Sequence, residues 1–183
     1  MSWEIILGVV ALVVVLFVIV MYNGLVRLRN QVRNSWAQID VQLKRRSDLI
    51  PNLVEAVKGY MKHEKSVLEN VTRARTAFLS ASTIDGKAKA SDALSKTLKS
   101  LFAVSENYPQ LKANENFIQL QEEISGTENK IAYARQNYND MVMVLNTKIE
   151  TFPSNIFAGI FGFVKEALFE ASSGERANVK VEF

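Results

Sequence analysis

An uninterrupted apolar run at residues 5–21 constrains this chain more than any other feature of its sequence. The run contains no charged side chain, and Gly8 is its one weak helix former. A helix of about 17 residues is close to the minimum that crosses a bilayer core, and flanking aromatic side chains favour the membrane interface. We predict that residues 1–24 form a membrane anchor. Its lipid or interface contacts are assigned to Trp3, Ile5, Phe17 and Tyr22.

A cleaved signal peptide is the competing interpretation of this run. Such a peptide begins with basic residues and ends in a small-residue cleavage pattern. The sequence opens instead with Met-Ser-Trp-Glu, and residues 20–23 lack that cleavage pattern. We therefore expect an anchor that is retained.

The charges around the run predict its orientation. Glu4 precedes it, whereas Arg27, Arg29 and Arg33 follow it, with a second basic group at residues 44–46. Because cytoplasmic flanks carry the basic residues, we expect the N-terminus outside the inner membrane and the large domain in the cytoplasm. Arg29 and Arg33 are one helical turn apart, and they either meet anionic lipid headgroups or are simply solvated.

The rest of the composition excludes several classes of site and partner. The chain has no cysteine, so it can form no disulfide, thiolate metal site or cysteine nucleophile. Its formal net charge of +3 is small and dispersed, which argues against nucleic acid as a partner. With 8 glycines and 3 prolines, long uninterrupted helices are permitted.

A seven-residue repeat of apolar side chains begins at Leu25. Two registers alternate at spacings of three and four, which gives a helix one seam to bury. The first register contains Leu25, Val32, Ile39, Leu53, Tyr60 and Val67, and the second contains Trp36, Leu43, Ile50, Val57, Val71 and Phe78. The pattern keeps its phase through Pro51. It predicts one long helix, or two nearly collinear ones, over residues 25–81, with a kink at the proline.

Two further helices are predicted before Pro153. A turn at residues 82–86 precedes the first of them, which ends before Pro109. Its inner face is predicted to hold Leu94, Leu98, Leu101, Phe102 and Ser105. The second repeats Phe117, Ile124, Ile131, Tyr138 and Leu145 every seven residues. We expect an all-α fold in which residues 25–153 form an elongated antiparallel helical bundle.

The C-terminal part divides into a phenylalanine-rich helix and a tail. Residues 155–171, within a segment at 154–173, are apolar around most of a helix. That helix is either buried in the monomer or covered by a membrane or another subunit. Residues 174–183 alternate as a strand does, and they either fray or pair with a strand of a neighbouring copy. The predicted interface between copies contains Phe157, Phe161, Phe163, Phe169, Val179, Val181 and Phe183.

Four charged residues interrupt or adjoin the apolar seams. Arg46 and Glu64 occupy seam positions, and Glu128 and Arg135 lie seven residues apart beside the last long seam. An ion in a helical core is costly unless it is paired, but it can fix helix register. We predict that Arg46 pairs with Glu128. The alternative is that these long side chains extend to solvent at the edge of the bundle.

No constellation of residues indicates catalysis. His63-Glu64 lacks the second histidine of H-E-x-x-H, and the sequence contains no phosphate-binding loop, dinucleotide fingerprint or nucleophile elbow. Glu122, Glu123 and Glu128 lack the E-x-x-H spacing of carboxylate metal sites in bundles. We expect no enzyme activity, no catalytic residue, no metal site and no cofactor.

Several long motifs resemble those of the LemA family. They are YNGLVRLRN at 22–30, SWAQIDVQLKRR at 35–46, DLIPNLV at 48–54, ENYP at 106–109 and FPSN at 152–155. Ser47 departs from the pattern, in which many relatives have histidine. The resemblance implies a membrane anchor followed by an antiparallel helical bundle, without a settled enzymatic activity.

The resemblance also bears on location. One relative is associated with magnetosome membranes, which is compatible with membrane organisation. Other relatives carry a lipid-modified N-terminus, which would place the bundle in the periplasm or outside the cell. This chain lacks the cysteine needed for that modification, and a periplasmic or extracellular bundle stays the alternative to a cytoplasmic one.

Two hypotheses of function are open at this point. In the first, the protein is a non-enzymatic scaffold in a bacterial membrane that self-associates into a homo-oligomer, because its apolar faces exceed what one copy covers. In the second, Pro51 relays a state between membrane and bundle in a sensory or signalling module. The lipid bilayer and further copies of the chain are the expected partners, and the sequence names no other protein partner.

Overall fold

The computed structural model describes residues 3–169, most of which are helical. The helices are α1 (Trp3–Lys58), α2 (Lys65–Ser80), α3 (Ile84–Ser105), α4 (Pro109–Lys112), α5 (Glu115–Glu150) and α6 (Ser154–Ile160). No strand occurs within residues 3–169, which confirms a helical fold with a long apolar N-terminal helix. The strand predicted within residues 174–183 lies outside the described residues.

Helix α1 passes through Pro51, as predicted, but ends at Lys58. Gly59 disfavours the helix, and the Val57 carbonyl accepts hydrogen bonds from the Tyr60 N–H (3.0 Å) and the Met61 N–H (2.9 Å). A turn at residues 59–64 then separates α1 from α2. The continuous helix predicted over residues 25–81 is therefore wrong. The apolar spacing survives the turn, although Met61, and not Tyr60, is the residue that is buried.

Contacts within the chain define two compact units. The first contains Met1–Gln38 and Gln136–Leu168, and the second contains Ile39–Arg135 and Phe169–Phe183. In the first unit, the N-terminal part of α1 and the end of α5 pack with α6 and the residues that follow it. One buried cluster of this unit contains Leu25, Ala158 and Phe163, with Val26, Ile149 and Phe157 packed against them.

The second unit contains a larger apolar core. Helices α1, α2, α3 and α5 each turn one face toward it, and α4 and the turn after α1 contribute one residue each. Its buried residues are Ile50, Leu53, Val57, Met61, Val71, Leu94, Leu98, Leu101, Leu111, Phe117 and Ile124. The predicted inner face of α3 is confirmed by the burial of its leucines and of Ser105, whereas Phe102 is half-buried.

Side-chain caps and a proline set helix boundaries in the second unit. The Thr83 hydroxyl accepts a hydrogen bond from the Gly86 N–H (3.0 Å) at the start of α3. The Asn114 side chain accepts one from the Phe117 N–H (3.0 Å) at the start of α5. Pro109 begins α4 after α3 has ended, as predicted.

The predicted seam of α5 is confirmed by the burial of Phe117, Ile124, Ile131, Tyr138 and Leu145.

Helix α6 is shorter than predicted because a glycine ends it. The helix expected over residues 155–171 is wrong for residues 161–169, and residues 170 and 171 lie outside the described range. Gly162 has a positive φ of 68°. The Phe163 N–H donates to the Ala158 carbonyl (2.9 Å), and the Gly162 N–H donates to the Gly159 carbonyl (3.4 Å). This is the Schellman arrangement of a helix C-terminus, with glycine in the left-handed position.

Candidate functional site

The first part of α1 exposes its apolar side chains. Of the four predicted anchor residues, Trp3 is 70% exposed, Ile5 55%, Phe17 42% and Tyr22 40%. None of the most apolar stretch of this helix is buried. Among residues 3–169, this is the one helix long and apolar enough to cross a membrane, and it fits a membrane anchor.

A buried arginine dominates the polar contacts of the second unit. Arg46 of α1 is completely buried. Its guanidinium forms an ion pair with Glu128 of α5. It also donates hydrogen bonds to the Ser91 hydroxyl (2.8 Å) and carbonyl (3.2 Å) and to the Ser95 hydroxyl (2.8 Å) of α3. The Ser95 hydroxyl lies 2.7 Å from the other Glu128 oxygen, to which it can donate. One guanidinium therefore links three helices.

The surroundings of this guanidinium suit a structural role. A buried charge is tolerated when an opposite charge and hydrogen-bond acceptors surround it. The Glu128 side chain is 42% exposed, so the carboxylate keeps contact with water while the guanidinium does not. The structure thus brings together Arg46 and Glu128, the pair named from the sequence. Sequence reasoning missed Ser91 and Ser95, because serines recur along α3 without a distinguishing pattern.

The other two charged residues singled out from the sequence have different neighbours. Glu64 precedes α2, and its carboxylate accepts a long hydrogen bond from the Tyr108 hydroxyl (3.4 Å). Partial burial, together with this carboxylate, raises the pKa of Tyr108. Arg135 forms an ion pair with Asp92 of α3 (3.0 Å), and its guanidinium lies 4.7 Å from the centre of the Phe169 ring.

Pro51 leaves a carbonyl of α1 without its usual helical partner. In a regular α-helix the N–H of residue 51 would donate to the Ser47 carbonyl, but proline has no N–H. The Nε–H of Arg75, on α2, donates to that carbonyl instead, at 2.9 Å. A side chain of α2 therefore compensates for the proline, a contact for which the sequence contained no signal.

The predicted interface phenylalanines fall into two groups. Phe161 is exposed and Phe157 is half-buried, whereas Phe163 and Phe169 are buried within the chain. Phe163 packs against Ala158 and lies under the guanidinium of Arg29, at 5.1 Å. Phe163 and Phe169 are therefore core residues and are not available for a contact between copies. The remaining predicted interface residues, Val179, Val181 and Phe183, lie outside the described residues.

Aromatic rings join α6 and its C-terminal end to the apolar part of α1. The centres of the Phe17 and Phe157 rings are 5.8 Å apart. The Tyr22 ring lies 4.9 Å from the Phe161 ring and 6.0 Å from the Phe163 ring. All three pairs are edge-to-face, the geometry in which the positive edge of one ring meets the negative face of the other.

Side chains of α5 hold the extended segment that follows α6. The Asn146 amide donates to the Glu166 carbonyl and accepts from the Glu166 N–H, both at 2.9 Å. The Tyr138 hydroxyl donates to the Ala167 carbonyl at 2.8 Å, and Lys165 pairs with Glu150. Burial, and then the nearby Glu166 carboxylate, raise the pKa of Tyr138. The segment at residues 163–168 therefore returns along α5 in a fixed register.

The described residues offer little for catalysis or metal binding. Among residues 3–169, no group of three or more histidine, cysteine, aspartate or glutamate side chains is arranged to hold a metal ion. His63 and Glu122 are exposed, and Glu123 lies 4.0 Å from Arg45. In the core, Arg46, Ser91, Ser95 and Glu128 bond to one another, whereas the Arg46 Nε and the Ser47 hydroxyl have no hydrogen-bond partner. The arrangement holds helices in place and presents apolar surface.

The sequence is similar to those of several known proteins over most of its length. The model of the LemA family matches residues 35–183. Protein LemA of Metamycoplasma hominis is 30% identical over 161 residues, which cover 86% of this chain and 72% of the relative. Magnetosome proteins MamQ 1 and MamQ 2 of Paramagnetospirillum magneticum are each 25% identical over 191 residues, covering 90% of this chain and 70% of the relative.

Proposed function

This chain belongs to the LemA family, and from that premise we propose that it is a non-enzymatic bacterial scaffold, anchored in a membrane and self-associated. The observation that carries the proposal is the contrast within α1. No residue of its apolar run at 5–21 is buried and most are exposed, while from Leu25 onward the same helix buries one seam. Lipid acyl chains are the contact that such a run requires.

The hydrogen bonds around Arg46 favour a scaffold over an enzyme. The acceptors around Arg46 are already bonded to it, and its carboxylate partner is fixed by Ser95. A guanidinium held in this way ties three helices together. Its effect is to fix the register of α1 against α3 and α5. The antiparallel arrangement of the long helices is part of the same proposal.

Self-association is proposed through the C-terminal tail. Val179, Val181 and Phe183 alternate with charged residues, the pattern that lets a segment add to a strand of a neighbouring copy. Two relatives are named magnetosome proteins, and by analogy we place the role of this chain in building a cellular structure. The proposed oligomer would hold several anchors side by side in one membrane.

The mass of the protein after extraction in a mild detergent tests self-association. We expect a homo-oligomer that dissociates when Val179, Val181 and Phe183 are replaced together by serine. Replacing Val144, which is 46% exposed on α5, by serine is the control and should leave the mass unchanged. A monodisperse monomer of the native chain would rule out the oligomer, and an unchanged mass of the triple variant would remove the tail from it.

The orientation is proposed from charge, with the N-terminus outside the inner membrane and the helical domain in the cytoplasm. Arg27, Arg29 and Arg33 follow the anchor, and basic flanks stay on the cytoplasmic side. Because the chain has no cysteine, single cysteines at Ser2 and Tyr133 can report sidedness. A membrane-impermeant maleimide applied to spheroplasts should label Ser2→Cys and spare Tyr133→Cys. The reverse pattern would support the periplasmic or extracellular alternative.

A second candidate function, a sensory or signalling module, draws on the bond between Arg75 and the Ser47 carbonyl at Pro51. The bond to this carbonyl depends on a contact between α1 and α2, so a movement of α2 would break it. Pro51→Ala would supply an N–H within α1 and remove that dependence on α2. If the protein transmits a state, this variant should fold normally and change the cellular output of the protein. A phenotype indistinguishable from the native chain would leave the scaffold as the function.

A further inference from the structure

We propose that residues 152–164, the α6 surface, lie within the membrane interface beside α1, where their exposed side chains contact lipid acyl chains. The inference rests on the proposed function only in taking residues 5–21 as the membrane span, and it does not depend on self-association. It reassigns Phe157 and Phe161 from a contact between copies to a contact with the bilayer. The protein would then have a second, non-spanning membrane element.

The depth of the α6 surface follows from its ring contacts. Phe17 lies inside the apolar run, four residues before Met21. At a rise of about 1.5 Å per residue, this position is roughly 6 Å inside the end of the span. The Phe157 ring is 5.8 Å from the Phe17 ring, so even a displacement entirely along the axis of α1 would leave it at the end of the span. If α1 crosses a bilayer, α6 cannot lie entirely in bulk water.

A second ring contact marks the level of the interface. Tyr22 ends the apolar run, at the position where tyrosine marks the boundary between acyl chains and headgroups. The Phe161 ring packs against it at 4.9 Å. Arg29 lies two helical turns further along α1, with its guanidinium over the Phe163 ring. The order along α1 is thus apolar ring, interfacial tyrosine and then cation, which is the order of layers in one leaflet.

The chemistry of the α6 surface suits acyl chains. Residues 151–164 contain no charged side chain, although Glu150 and Lys165 border them and pair with each other. The large apolar residues exposed on this surface are Phe152 (75%), Ile156 (50%), Ile160 (69%), Phe161 (43%) and Val164 (73%). Asn155 is also exposed. A set of exposed apolar side chains next to a membrane span is typical of a segment that lies in the interface.

The backbone of the segment limits the polar groups that it would present to lipid. Unpaired N–H and C=O groups are strongly disfavoured in the hydrocarbon region. At the end of α6, the Schellman bonds of Gly162 and Phe163 occupy the Ala158 and Gly159 carbonyls. Before α6, the Ser154 hydroxyl is buried and lies within hydrogen-bond distance of the Lys148 (2.6 Å) and Thr151 (2.8 Å) carbonyls. The short helix and its C-cap therefore suit a partly non-aqueous environment.

Lipid is favoured over a second copy because the α6 surface adjoins the exposed side chains of the span. Val20, 64% exposed, lies in the same run of α1 as the Phe17 and Tyr22 rings that contact this surface. Whatever surrounds the span at this level also surrounds the α6 surface. Around a membrane-spanning helix that environment is the acyl chains and the headgroup boundary.

Fluorescence quenching in vesicles tests the depth of the α6 surface. Single cysteines replace Val20 in the span, Ile160 in the α6 surface and Tyr133 on α5, and each is labelled with an environment-sensitive nitrobenzoxadiazole. All three positions are exposed, so the substitutions disturb no core contact. The full-length chain is reconstituted in phosphatidylcholine and phosphatidylglycerol vesicles containing doxyl-labelled lipids. Iodide reports exposure to water.

We expect lipid quenching at position 160 to match that at position 20, with position 133 quenched by iodide only. Lipid quenching at position 20 but iodide quenching at position 160 would overturn the inference and leave the anchor standing. Protection of position 160 from both quenchers, with disulfide-linked dimers of Ile160→Cys, would overturn it in favour of a second copy. Absence of lipid quenching at position 20 would overturn the anchor itself.

Discussion

Residues 5–21 and residues 39–57 belong to one helix, α1, yet they differ in what surrounds them. The first stretch is apolar on every side, and none of its residues is buried, although Phe17 contacts Phe157 of α6. The second is apolar along one seam, and residues of that seam such as Leu43, Ile50, Leu53 and Val57 are buried. The comparison shows that the pattern of apolar residues, more than their number, indicates what they contact. A uniform pattern requires a uniform surrounding, and a periodic one requires helices on one side.

The two stretches also differ in how they treat polar groups. The first has none, while the second buries Arg46, whose two terminal nitrogens bond to α3 and α5. In lipid such a charge would lack acceptors, whereas a protein core can supply them at fixed positions. The same helix therefore uses apolar side chains for attachment in one stretch and a polar group for register in the other.

The largest effect that we expect is the difference between two leucine truncations. Leu53 is completely buried, so Leu53→Ala should lower the free energy of unfolding by about 2–5 kcal/mol through lost contacts and a cavity. Leu12 is 59% exposed, so Leu12→Ala should leave that free energy nearly unchanged. Chemical denaturation in a mild detergent, followed by circular dichroism, measures both. Equal losses would mean that the first stretch also packs against protein.

Replacing Glu128, the carboxylate partner of Arg46, should cause the next largest loss in the free energy of unfolding. Glu128→Leu leaves the Arg46 guanidinium buried without its counter-ion, and we expect a loss of about 3 kcal/mol in the free energy of unfolding. The value lies at the low end for buried ions because the Glu128 side chain is 42% exposed.

A double-mutant cycle separates this effect from simple packing. The loss in the Arg46→Leu, Glu128→Leu double variant should be smaller than the sum of the two single losses. Glu55→Leu is the control, since Glu55 and Lys58 form an exposed pair on the same helix, and it should change stability little. Additive losses for Arg46 and Glu128 would show that the pair does not act as a unit.

A third, smaller effect concerns the carbonyl freed by Pro51. Arg75→Ala should lower the free energy of unfolding by about 1–3 kcal/mol, because the Ser47 carbonyl loses its donor. In a Pro51→Ala background the new N–H can donate to that carbonyl, so the same substitution should cost less. Arg73→Ala, at an exposed position of α2, serves as the matched control. An Arg75→Ala loss independent of residue 51 would contradict the compensation.

The smallest changes in stability are expected when each of two glycines of the α6 surface is replaced by alanine. Gly162 has a φ of 68°, so Gly162→Ala should destabilise the chain by about 1–2 kcal/mol through backbone strain alone. Gly159 lies within α6, and Gly159→Ala should stabilise it by about 0.5–1 kcal/mol. A Cβ at either position meets no atom within 4 Å, so packing does not enter. Thermal unfolding of both variants should shift in opposite directions, and shifts of the same sign would contradict the cap.

Much of the helical content could be predicted from sequence because it depends on periodicity. The seam of α5 and the inner face of α3 were visible as repeats, and Arg46 could be matched to Glu128 because both adjoin seams. The end of α1 at Lys58 was hidden, since the turn at residues 59–64 preserves the apolar spacing. The end of α6 was also missed, because apolar neighbours on both sides of Gly162 masked a position that needs a positive φ.

The contacts that complete the candidate sites were less predictable. The hydrogen bonds of Ser91, Ser95 and Arg75 depend on where the fold places these residues. Serine and arginine are common on polar helix faces, so their residue type gave no signal. The burial of Phe163 and Phe169 depends on where the chain returns along α5, which no local pattern specifies.

The buried guanidinium also imposes an order on biosynthesis. Arg46 and Glu128 are 82 residues apart in sequence. At about 5–20 residues per second, a ribosome supplies the carboxylate roughly 4–16 s after the arginine. Until then α2 and α3 can cover only part of the α1 seam, and the guanidinium lacks its counter-ion. A chain interrupted before α5 keeps this incomplete core, which favours its proteolysis.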